Sequence, residues 1–253
     1  MLDIAGLTLA YGEEPVLEAV DLTLAAGEVA SLVGPSGSGK TSVLRAVTGL
    51  TTPRAGTVRL DIPVREVGFL FQDDALLPWR TARENVALGL RINGTGKEAA
   101  LAEADGWLDR LGLAGLGGRW PRQLSGGQRK RVAIAQVLAL KPRLLLMDEP
   151  FASLDAIVRA RITQELVEWV EAESLSVLLV THDLEEALAI SDTVHLLSQG
   201  PRARIRASYS VPIVRPRRML EARLDPAFAP LLDTLWHALE AEVYGTAAKE
   251  AAQ

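Results

Sequence analysis

The amino-acid sequence predicts an α/β protein with a mainly parallel sheet, an N-terminal antiparallel β lobe and an inserted α-helical lobe. Short apolar runs alternate with helical patterns along the chain, as in parallel sheets whose faces are covered by helices. One run ends in a glycine-rich loop that leads into a helix, and a long segment between two runs has no strand pattern. These features indicate one α/β core that carries two smaller lobes.

The first lobe begins near the N-terminus. Apolar residues alternate with polar residues over 2–9 and 16–24, and a turn-forming run from Gly12 to Pro15 separates the two segments. Two alternating segments joined by a short turn predict an antiparallel hairpin.

The predicted core strands are short and rich in valine and leucine. The first of them, Val29 to Val33, runs directly into the glycine-rich loop, and the apolar residues after the loop follow a helical spacing. The other buried-strand candidates are residues 67–71, 144–147, 177–180 and 194–197. Such apolar runs suit a parallel sheet that is buried on both faces.

Two further segments differ from the core in composition. Residues 76–140 are rich in Ala, Leu and Glu and predict an inserted helical lobe. After Gly200, six arginines fall between residues 202 and 218, and a helical pattern continues through Leu239. The arginine cluster favours a solvated face, with a partner-docking or lipid-facing surface as the alternative.

Composition excludes several classes of function. With 253 residues, 48% of them hydrophobic, the chain can bury a sizeable core. A net charge of -5 argues against a protein that binds nucleic-acid phosphates, and the absence of cysteine excludes disulfides and thiol chemistry. We expect no export signal at the N-terminus and no membrane-spanning helix, so any membrane role must come through partner proteins.

The glycine-rich loop has the spacing of a phosphate-binding loop that ends in Lys-Thr. Its glycines let backbone N–H groups point at phosphate oxygens, and the following helix turns its positive end to the same anion. We expect Lys40 to contact the β- and γ-phosphates and Thr41 to bind magnesium. The alternative is a glycine turn with an accidental lysine. The predicted nucleotide contacts are Gly34, Pro35, Ser36, Gly37, Ser38, Gly39, Lys40, Thr41 and Ser42.

A second motif is the apolar run from Leu144, which ends in the two carboxylates Asp148 and Glu149. Ligands of α/β proteins bind at this end of a strand. Asp148 is placed to hold magnesium through its water shell, and Glu149 is placed to orient and polarise an attacking water. The alternative is a helix cap. Together with the phosphate loop, the motif predicts nucleotide hydrolysis.

A third motif, from Leu124 to Arg131, reads Leu-Ser-Gly-Gly-Gln-Arg-Lys-Arg. Its serine can cap a helix whose free N–H groups form a second anion site, and the alternative is a helix cap without a ligand. The motif resembles the signature of the ATP-binding-cassette (ABC) family. In that family the signature grips the γ-phosphate of a nucleotide bound to the opposite subunit, which implies a head-to-tail dimer. The resemblance assigns nucleotide contacts to Ser125, Gly126, Gly127 and Gln128.

Four more residues occur in the order found in the ABC family. Gln72 resembles the glutamine that contacts magnesium or the water, and His182 resembles the switch histidine that contacts the γ-phosphate. Asp155 resembles an aspartate that crosses the dimer interface, and Tyr11 resembles the aromatic residue that stacks on adenine. Each of them alone has a structural alternative, such as a solvated histidine or a packed tyrosine. The implied catalytic residues are Lys40, Gln72, Glu149 and His182.

Within the family, two segments resemble the ATP-binding subunits of nitrate, sulfonate and taurine importers. They are Phe71 to Thr81, with its Leu-Leu-Pro-Trp run, and residues 182–187. Related importers of thiamine precursors and riboflavin share much of this pattern. Trp79 either packs inside the helical lobe or contacts a membrane subunit. Residues 59–66 form a shorter segment than is usual in the family, so we expect a trimmed antiparallel lobe.

The resemblance implies a P-loop NTPase core, the ABC nucleotide-binding domain, over residues 1–205, with the helical subdomain at about 76–140. Residues 206–253 are expected to form a basic and helical extension of the same domain. ATP and Mg²⁺ are the implied cofactors. A homodimer of ATPase subunits would contact integral-membrane permease subunits and, through them, a solute-binding protein. The subunit is then expected at the cytoplasmic face of the plasma (inner) membrane.

The function implied is ATP hydrolysis coupled to the uptake of a small solute such as nitrate, sulfonate or taurine. One alternative is a soluble ABC ATPase that acts on nucleic acid or in translation. Another is a small-molecule kinase, which leaves the signature motif and the switch histidine unexplained. No residue of this chain indicates which solute is transported.

Overall fold

The computed structural model describes residues 1–250, and the side chains of residues 1–244. Residues 251–253 of the expected C-terminal extension lie outside this range. The strands are β1 (Leu2–Ala10), β2 (Pro15–Leu24), β3 (Val29–Val33), β4 (Ala55–Leu60), β5 (Val67–Leu70), β6 (Leu144–Asp148), β7 (Ser176–Val180), β8 (Thr193–Leu197) and β9 (Ile205–Ser210). The helices are α1 (Lys40–Val47), α2 (Ala82–Ile92), α3 (Lys97–Arg110), α4 (Gly126–Leu138), α5 (Ala156–Ala172), α6 (Leu184–Ile190), α7 (Met219–Ala222) and α8 (Phe228–Glu250). None of these helices is long and apolar enough to cross a lipid bilayer.

The larger sheet has six strands in the order β5-β6-β7-β3-β8-β9. Its strands β5, β6, β7, β3 and β8 are parallel, and Val29 of β3, for example, lies opposite Val177 of β7. Every residue of β3, β6 and β7 is buried, because other elements cover both faces of the sheet. The expected α/β fold and its five core strands are confirmed.

The sixth strand, β9, is not predicted by the sequence, which indicates a basic and helical extension from residue 206. It lies at the sheet edge, antiparallel to β8, with Thr193 opposite Ser210. Half-buried and exposed residues alternate along it. An edge strand buries only part of its surface, so this strand lacks the apolar run that marks the central ones. A hydrogen bond of 2.7 Å between His195 Nδ1 and Ser208 Oγ also joins β9 to β8.

The smaller sheet is the antiparallel lobe, with the strand order β2-β1-β4. Leu2 of β1 lies opposite Leu24 of β2 on one side and Leu60 of β4 on the other, which confirms the predicted hairpin. This sheet and α1 pack on one face of the larger sheet, around core residues such as Leu7 and Leu44. A second core on the opposite face includes residues of α2 to α6 and α8.

Helices α2, α3 and α4 lie between β5 and β6 and form the helical lobe. An ion pair of 2.6 Å between Arg83 and Asp105 joins α2 to α3. The buried Asn85 of α2 holds the loop before it, because its Oδ1 accepts from Leu77 N at 2.7 Å and its Nδ2 donates to three carbonyl groups of that loop. The loop presents Trp79 with 67% of its surface exposed. Packing inside the lobe is therefore excluded for this tryptophan.

The arginine cluster does not form the single solvated face that the sequence favours. Arg217 is buried and pairs with Asp192 at 3.0 Å, while it also donates to two backbone carbonyls. Arg215 pairs with the same aspartate and with Glu171. A buried guanidinium needs acceptors of this kind, and the sequence does not reveal that a distant aspartate supplies them.

Candidate active site

The strand order brings four predicted functional segments to one edge of the larger sheet. Strands β5, β6, β7 and β3 are parallel neighbours, so their carboxyl ends lie side by side. Gln72 follows β5, Asp148 ends β6, His182 follows β7, and the phosphate loop follows β3. Open α/β sheets bind ligands at this row of carboxyl ends of the strands. The row is here called the sheet-edge half, and it is distinct from the outer strand β9.

The phosphate loop folds around the side chain of Lys40. The buried Nζ of Lys40 donates to Gly34 O and Pro35 O, at 2.8 Å in each case. Burial lowers the pKa of this lysine, and the carboxylates of Glu149 and Asp148 act in the opposite direction. The ammonium group is therefore fixed at the centre of the loop, and two carboxylates favour its charged form.

Three features of the loop suit it to an anion. Helix α1 begins after Gly39 without a side-chain cap, so the N–H groups of its first turn are open to a ligand. Gly39 has a φ of +91°, and a Cβ there would lie 2.9 Å from Leu17 Cδ2, so only glycine fits. The hydroxyl of the buried Ser38 has no hydrogen-bond partner within the described residues. A phosphate oxygen would satisfy it.

A candidate metal site lies between α1 and β6. Thr41 Oγ1 donates to Asp148 Oδ1 at 3.0 Å, so a hydroxyl and a carboxylate oxygen meet beside the loop. Burial raises the pKa of Asp148, while the hydrogen bond from Thr41 lowers it. Within residues 1–244, no group of three or more His, Cys, Asp or Glu side chains could hold a metal. The donor set fits Mg²⁺, which takes one or two protein oxygens together with phosphates and water.

Glu149 and His182 meet at the end of β6 and β7. His182 Nδ1 lies 3.1 Å from Glu149 Oε2. Glu149 has a φ of +42°, an unfavourable backbone conformation for a glutamate, and its N–H donates to Val180 O at 2.8 Å. Strain of this kind persists where the surrounding structure imposes it and is concentrated at functional sites. The backbone thus holds this carboxylate at the edge of the sheet beside the histidine.

Tyr11 lies at the rim of the site, where 57% of its surface is exposed. Its hydroxyl is hydrogen-bonded to Ser42 Oγ at 3.1 Å. The pKa of the phenol is lowered, because the Ser42 hydroxyl can donate a hydrogen bond to the ionised form. A tyrosine packed into the core would be buried, so the packing alternative is excluded. Its ring is open to a flat ligand beside the phosphate loop.

The signature residues form a helix cap at the start of α4. Ser125 Oγ accepts from Gln128 N at 3.3 Å, and Gln128 Oε1 accepts from Ser125 N at 2.9 Å. Asp155 caps α5 in a similar way, by accepting from Val158 N at 3.0 Å. A Cβ at Gly127 would lie 2.8 Å from Val158 Cγ1, so this glycine also lets α4 pack against α5. The two caps and the helix ends that they start are called the signature half below.

The proposed phosphate-contacting side chains of the two halves do not bond to each other within one chain. Among the described residues, no hydrogen bond or ion pair joins the side chains of Ser125 or Asp155 to Lys40, Asp148 or Glu149. The fold therefore brings together the residues predicted for the sheet-edge half, whereas the side chains of Ser125 and Asp155 bond to the first turns of their own helices.

Two buried charged residues near these halves are not predicted by the sequence. Lys130 of α4 is fully buried. Glu186 of α6 is also buried and accepts from Thr181 Oγ1 at 2.6 Å, just before His182. Burial raises the pKa of Glu186 to about 7. The sequence contains one signal for the burial of Lys130. This lysine lies four residues before the buried Ile134, and residues at this spacing share one face of a helix.

A cavity lies outside the sheet-edge half. It has a volume of about 390 Å³ and is lined by residues such as Trp107, Trp169 and Arg110 at the opposite end of the sheet. A phosphate cradle built from backbone N–H groups is shallow and needs no enclosed cavity, so cavity size does not identify the site here.

The fold and the site together define a nucleotide-hydrolysing protein of the phosphate-loop class. A family model described as ABC transporter matches residues 17–152. The taurine import ATP-binding proteins TauB of Yersinia pestis bv. Antiqua (strain Antiqua) and Escherichia coli (strain K12) are 44% and 43% identical to this chain over 206 residues, which cover 79% of this chain and 81% of each relative. TauB of Shigella flexneri is 40% identical over 236 residues, or 90% of this chain and 92% of the relative. The chain belongs to the ABC transporter family.

Solved structures agree with this assignment. The ATP-binding cassette MJ0796, described as dimeric in a post-hydrolysis state bound to ADP and Pi, has a TM-score of 0.74 and 30% identity. A second MJ0796 structure, described as a dimeric bacterial ABC transporter cassette, has the same TM-score and 32% identity. Each match covers 85% of this chain and 100% of the solved chain. The predicted function as an ATP-binding, ATP-hydrolysing subunit of an ABC importer is confirmed.

Proposed function

We propose that two copies of this subunit form a head-to-tail homodimer that encloses ATP between the sheet-edge half of one copy and the signature half of the other. The observation that carries this proposal is that, among the described residues, the side chains of Ser125 and Asp155 form no bond with Lys40, Asp148 or Glu149. Lys40, Thr41 and Glu149 lie at the sheet edge, whereas Ser125 caps a helix that does not bond to them. A second copy is the simplest source of the missing half. The solved relatives that are described as dimeric support the formation of a dimer.

In the sheet-edge half, we assign nucleotide binding to the phosphate loop and to Tyr11. Lys40 and the open N–H groups of α1 neutralise and orient the β- and γ-phosphates, while the exposed ring of Tyr11 packs on the base. Thr41, Asp148 and Gln72 are the residues that would hold Mg²⁺, which supplies charge neutralisation at the phosphates when it is bound. Positioning and charge compensation are what phosphoryl transfer needs most from a protein.

Hydrolysis is assigned to the pair at the ends of β6 and β7. Glu149 orients and polarises the attacking water, and its constrained backbone keeps the carboxylate in one place. His182, 3.1 Å from that carboxylate, contacts the γ-phosphate. The side chain that accepts the proton and the one that stabilises the phosphate are thus neighbours.

In the signature half, the first N–H groups of α4 form a second anion site. Ser125 accepts a hydrogen bond from Gln128, which leaves the N–H groups of Gly126 and Gly127 available to a γ-phosphate of the other copy. Asp155 lies at the start of α5, whose residue Val158 packs closely on Gly127. ATP binding would therefore close the dimer, and this closure is the step that drives transport.

We further propose that the exposed loop around Trp79 docks on an integral-membrane permease. Trp79 and Phe71 expose 67% and 44% of their surfaces on the same segment that ends at Asn85. Exposed aromatic residues on a loop held by buried hydrogen bonds suit a permanent partner. Docking would keep the subunit at the cytoplasmic face of the plasma (inner) membrane as a peripheral protein.

The proposed solute is a small molecule such as nitrate, sulfonate or taurine, delivered by a solute-binding protein through the permease. The relatives named as taurine import proteins support this choice, and they favour an importer over a soluble cassette ATPase. Uptake of labelled taurine and nitrate by liposomes that contain the reconstituted complex tests the solute. Uptake of neither compound would reject this solute class.

The first experiment measures Mg²⁺-dependent ATPase activity of the purified chain, alone and with the permease that co-purifies with it. Stimulation by the permease is expected. ATPase activity that does not respond to the permease would contradict the proposed coupling of hydrolysis to a permease.

The docking surface is tested with Trp79→Ala. This variant should keep its ATPase activity without permease and lose the stimulation. Trp236→Ala is the matched control, because Trp236 is 51% exposed on α8, outside the loop. Equal stimulation of both variants would contradict docking through Trp79.

A further inference from the structure

Lys130 is a charged residue on the buried face of the signature helix. It lies in the second turn of α4, and none of its side-chain surface is exposed. Ile134 and Leu138, one and two turns further along the same face, belong to the hydrophobic core. An apolar side chain would normally occupy such a position, because burying an ammonium group is costly unless it is fully paired.

The lysine is fully paired, and all its partners belong to the segment that follows β5. Its Nζ lies 3.0 Å from Gln72 O, 3.3 Å from Phe71 O and 3.1 Å from Asp74 Oδ1. An ammonium group has three N–H donors, and three acceptors are present. The contact therefore joins the loop that carries Gln72 to the helix that begins with the signature.

A second connection runs beside the first. Arg129 Nε donates to Asp74 Oδ2 at 3.3 Å, and Arg129 Nη1 donates to Leu124 O at 2.8 Å. Leu124 directly precedes Ser125, the cap of α4. Asp74 thus binds two consecutive cations of α4, Arg129 and Lys130. Through Arg129, the Gln72 loop is connected to Leu124, the residue before the signature half.

The stability of the fold does not explain this arrangement. Replacing a buried ion pair by apolar side chains of similar volume is often neutral or stabilising, so a core leucine or methionine would serve the packing of α4 equally well. The lysine adds geometric specificity that an apolar side chain lacks. Its hydrogen bonds to two backbone carbonyls fix the loop in one position on the helix.

We propose that Lys130 is a positioning residue that fixes the Gln72 loop to the signature helix, so that the two move as one unit. This inference rests on the proposed function of the two halves. A change at Gln72, in the nucleotide site of its own chain, then shifts Ser125, which faces the nucleotide of the other chain. Coupling of this kind needs a contiguous set of contacts with a fixed geometry, and Lys130 and Asp74 supply it.

The test compares Lys130→Met with Lys130→Arg and with Lys97→Met, an exposed lysine on α3 that serves as the control. Lys130→Met keeps an unbranched side chain that is one atom shorter and removes the charge. We expect an unchanged KM for ATP, a kcat that falls about 5- to 30-fold and a loss of permease stimulation. Lys130→Arg should restore part of kcat because it can still donate to the carbonyls.

Hydrogen exchange supplies a second readout that does not depend on activity. In Lys130→Met, the amides of residues 71–75 should exchange at least about fivefold faster, while those of β6 keep their rates. Asp74→Asn should give the same pattern, and it carries the test alone if Lys130→Met does not fold. Wild-type kcat and wild-type exchange in these variants would overturn the proposal. Failure of the proposed function would instead appear as ATPase activity that is insensitive to Glu149→Gln in the otherwise wild-type chain.

Discussion

The sheet-edge half and the signature half differ in what their functional side chains bind. At the sheet edge, Thr41 bonds to Asp148 and His182 to Glu149, so residues far apart in the chain hold each other. In the signature half, the side chains of Ser125 and Asp155 bond, among the described residues, to the first turns of their own helices. The first half is organised by contacts between distant parts of one chain, whereas the second consists of capped helix ends that, under the proposed function, bind a nucleotide held by the other copy.

The difference predicts distinct failures. Substitutions at the sheet edge should damage chemistry or nucleotide binding within their own chain. Substitutions in the signature half should leave nucleotide binding intact and prevent hydrolysis at the site of the other chain. Four experiments separate these outcomes.

The largest effect is expected for Glu149→Gln. The amide keeps the shape of the carboxylate but cannot accept a proton, so ATP turnover should fall by about 10²- to 10⁴-fold while ATP binding persists. Steady-state ATPase activity and the affinity for a fluorescent ATP analogue measure the two properties. Turnover near the wild-type rate would show that another group polarises the water.

The second experiment mixes two inactive variants. Lys40→Ala removes the phosphate contact of the sheet edge, and Ser125→Arg fills the second anion site, so each variant alone should lose activity by about 100-fold. In an equal mixture, half of the dimers combine both variants, and each such dimer contains one intact site. ATPase activity should then recover to about one quarter of the wild-type value, as expected for a symmetric head-to-tail dimer with independent sites.

The control for this mixture is a pair of variants from the same half. Lys40→Ala mixed with Glu149→Gln leaves every mixed dimer without an intact site, because both residues belong to one chain's sheet edge. No recovery is expected there. Recovery in both mixtures, or in neither, would mean that the two halves do not come from different chains.

The positions of the motifs in the sheet-edge half can be predicted from the sequence for a physical reason. Central parallel strands are buried on both faces, so β3, β6 and β7 appear as continuous apolar runs, and the motifs that follow them must meet at one edge. The sheet edge could therefore be assembled from local patterns. The edge strand β9 could not, because its residues are only half buried and their pattern is weak.

Burial of charge is the other feature that the sequence does not reveal. Lys130 is buried because Asp74 and two carbonyls meet it, and Arg217 is buried because Asp192 does. These partners lie far away in sequence, and a charged residue is normally exposed. Only the tertiary structure distinguishes such a residue from a solvated one.

A third experiment tests whether the buried carboxyl group of Glu186, beside the sheet-edge half, makes the stability of the fold depend on pH. Glu186 accepts from Thr181, whose hydroxyl also accepts from Asp183 N at 3.1 Å, so the carboxyl lies directly behind His182. Burial raises its pKa from an ordinary 4.5 to about 7, with Asp183 adding to the shift and Arg159 and His182 opposing it. Between these two pH values, the folded chain binds a proton that the unfolded chain has lost. Stability from this group is therefore present at low pH and is lost as the pH rises through 7.

The measurable consequence is a pH-dependent free energy of unfolding. From pH 5 to pH 8, the wild type should lose about 2.5 kcal/mol relative to Glu186→Gln, which cannot ionise. Urea denaturation of both proteins at several pH values gives the difference. Parallel stability curves would show that Glu186 is already ionised in the folded chain at pH 5.

The smallest effect is expected at Tyr11, an exposed residue at the rim of the sheet-edge half. Its hydroxyl is tied to Ser42 on α1, but its ring is free to contact a base. Tyr11→Ala removes a stacking surface worth about 1 kcal/mol and should raise the KM for ATP about fivefold without changing kcat. Tyr11→Phe keeps the ring and loses only the bond to Ser42, so its KM should stay within about twofold of the wild type. If both variants raised the KM equally, the hydroxyl bond to α1 rather than the ring would be responsible, and Tyr11 would act by holding the phosphate loop instead of the base.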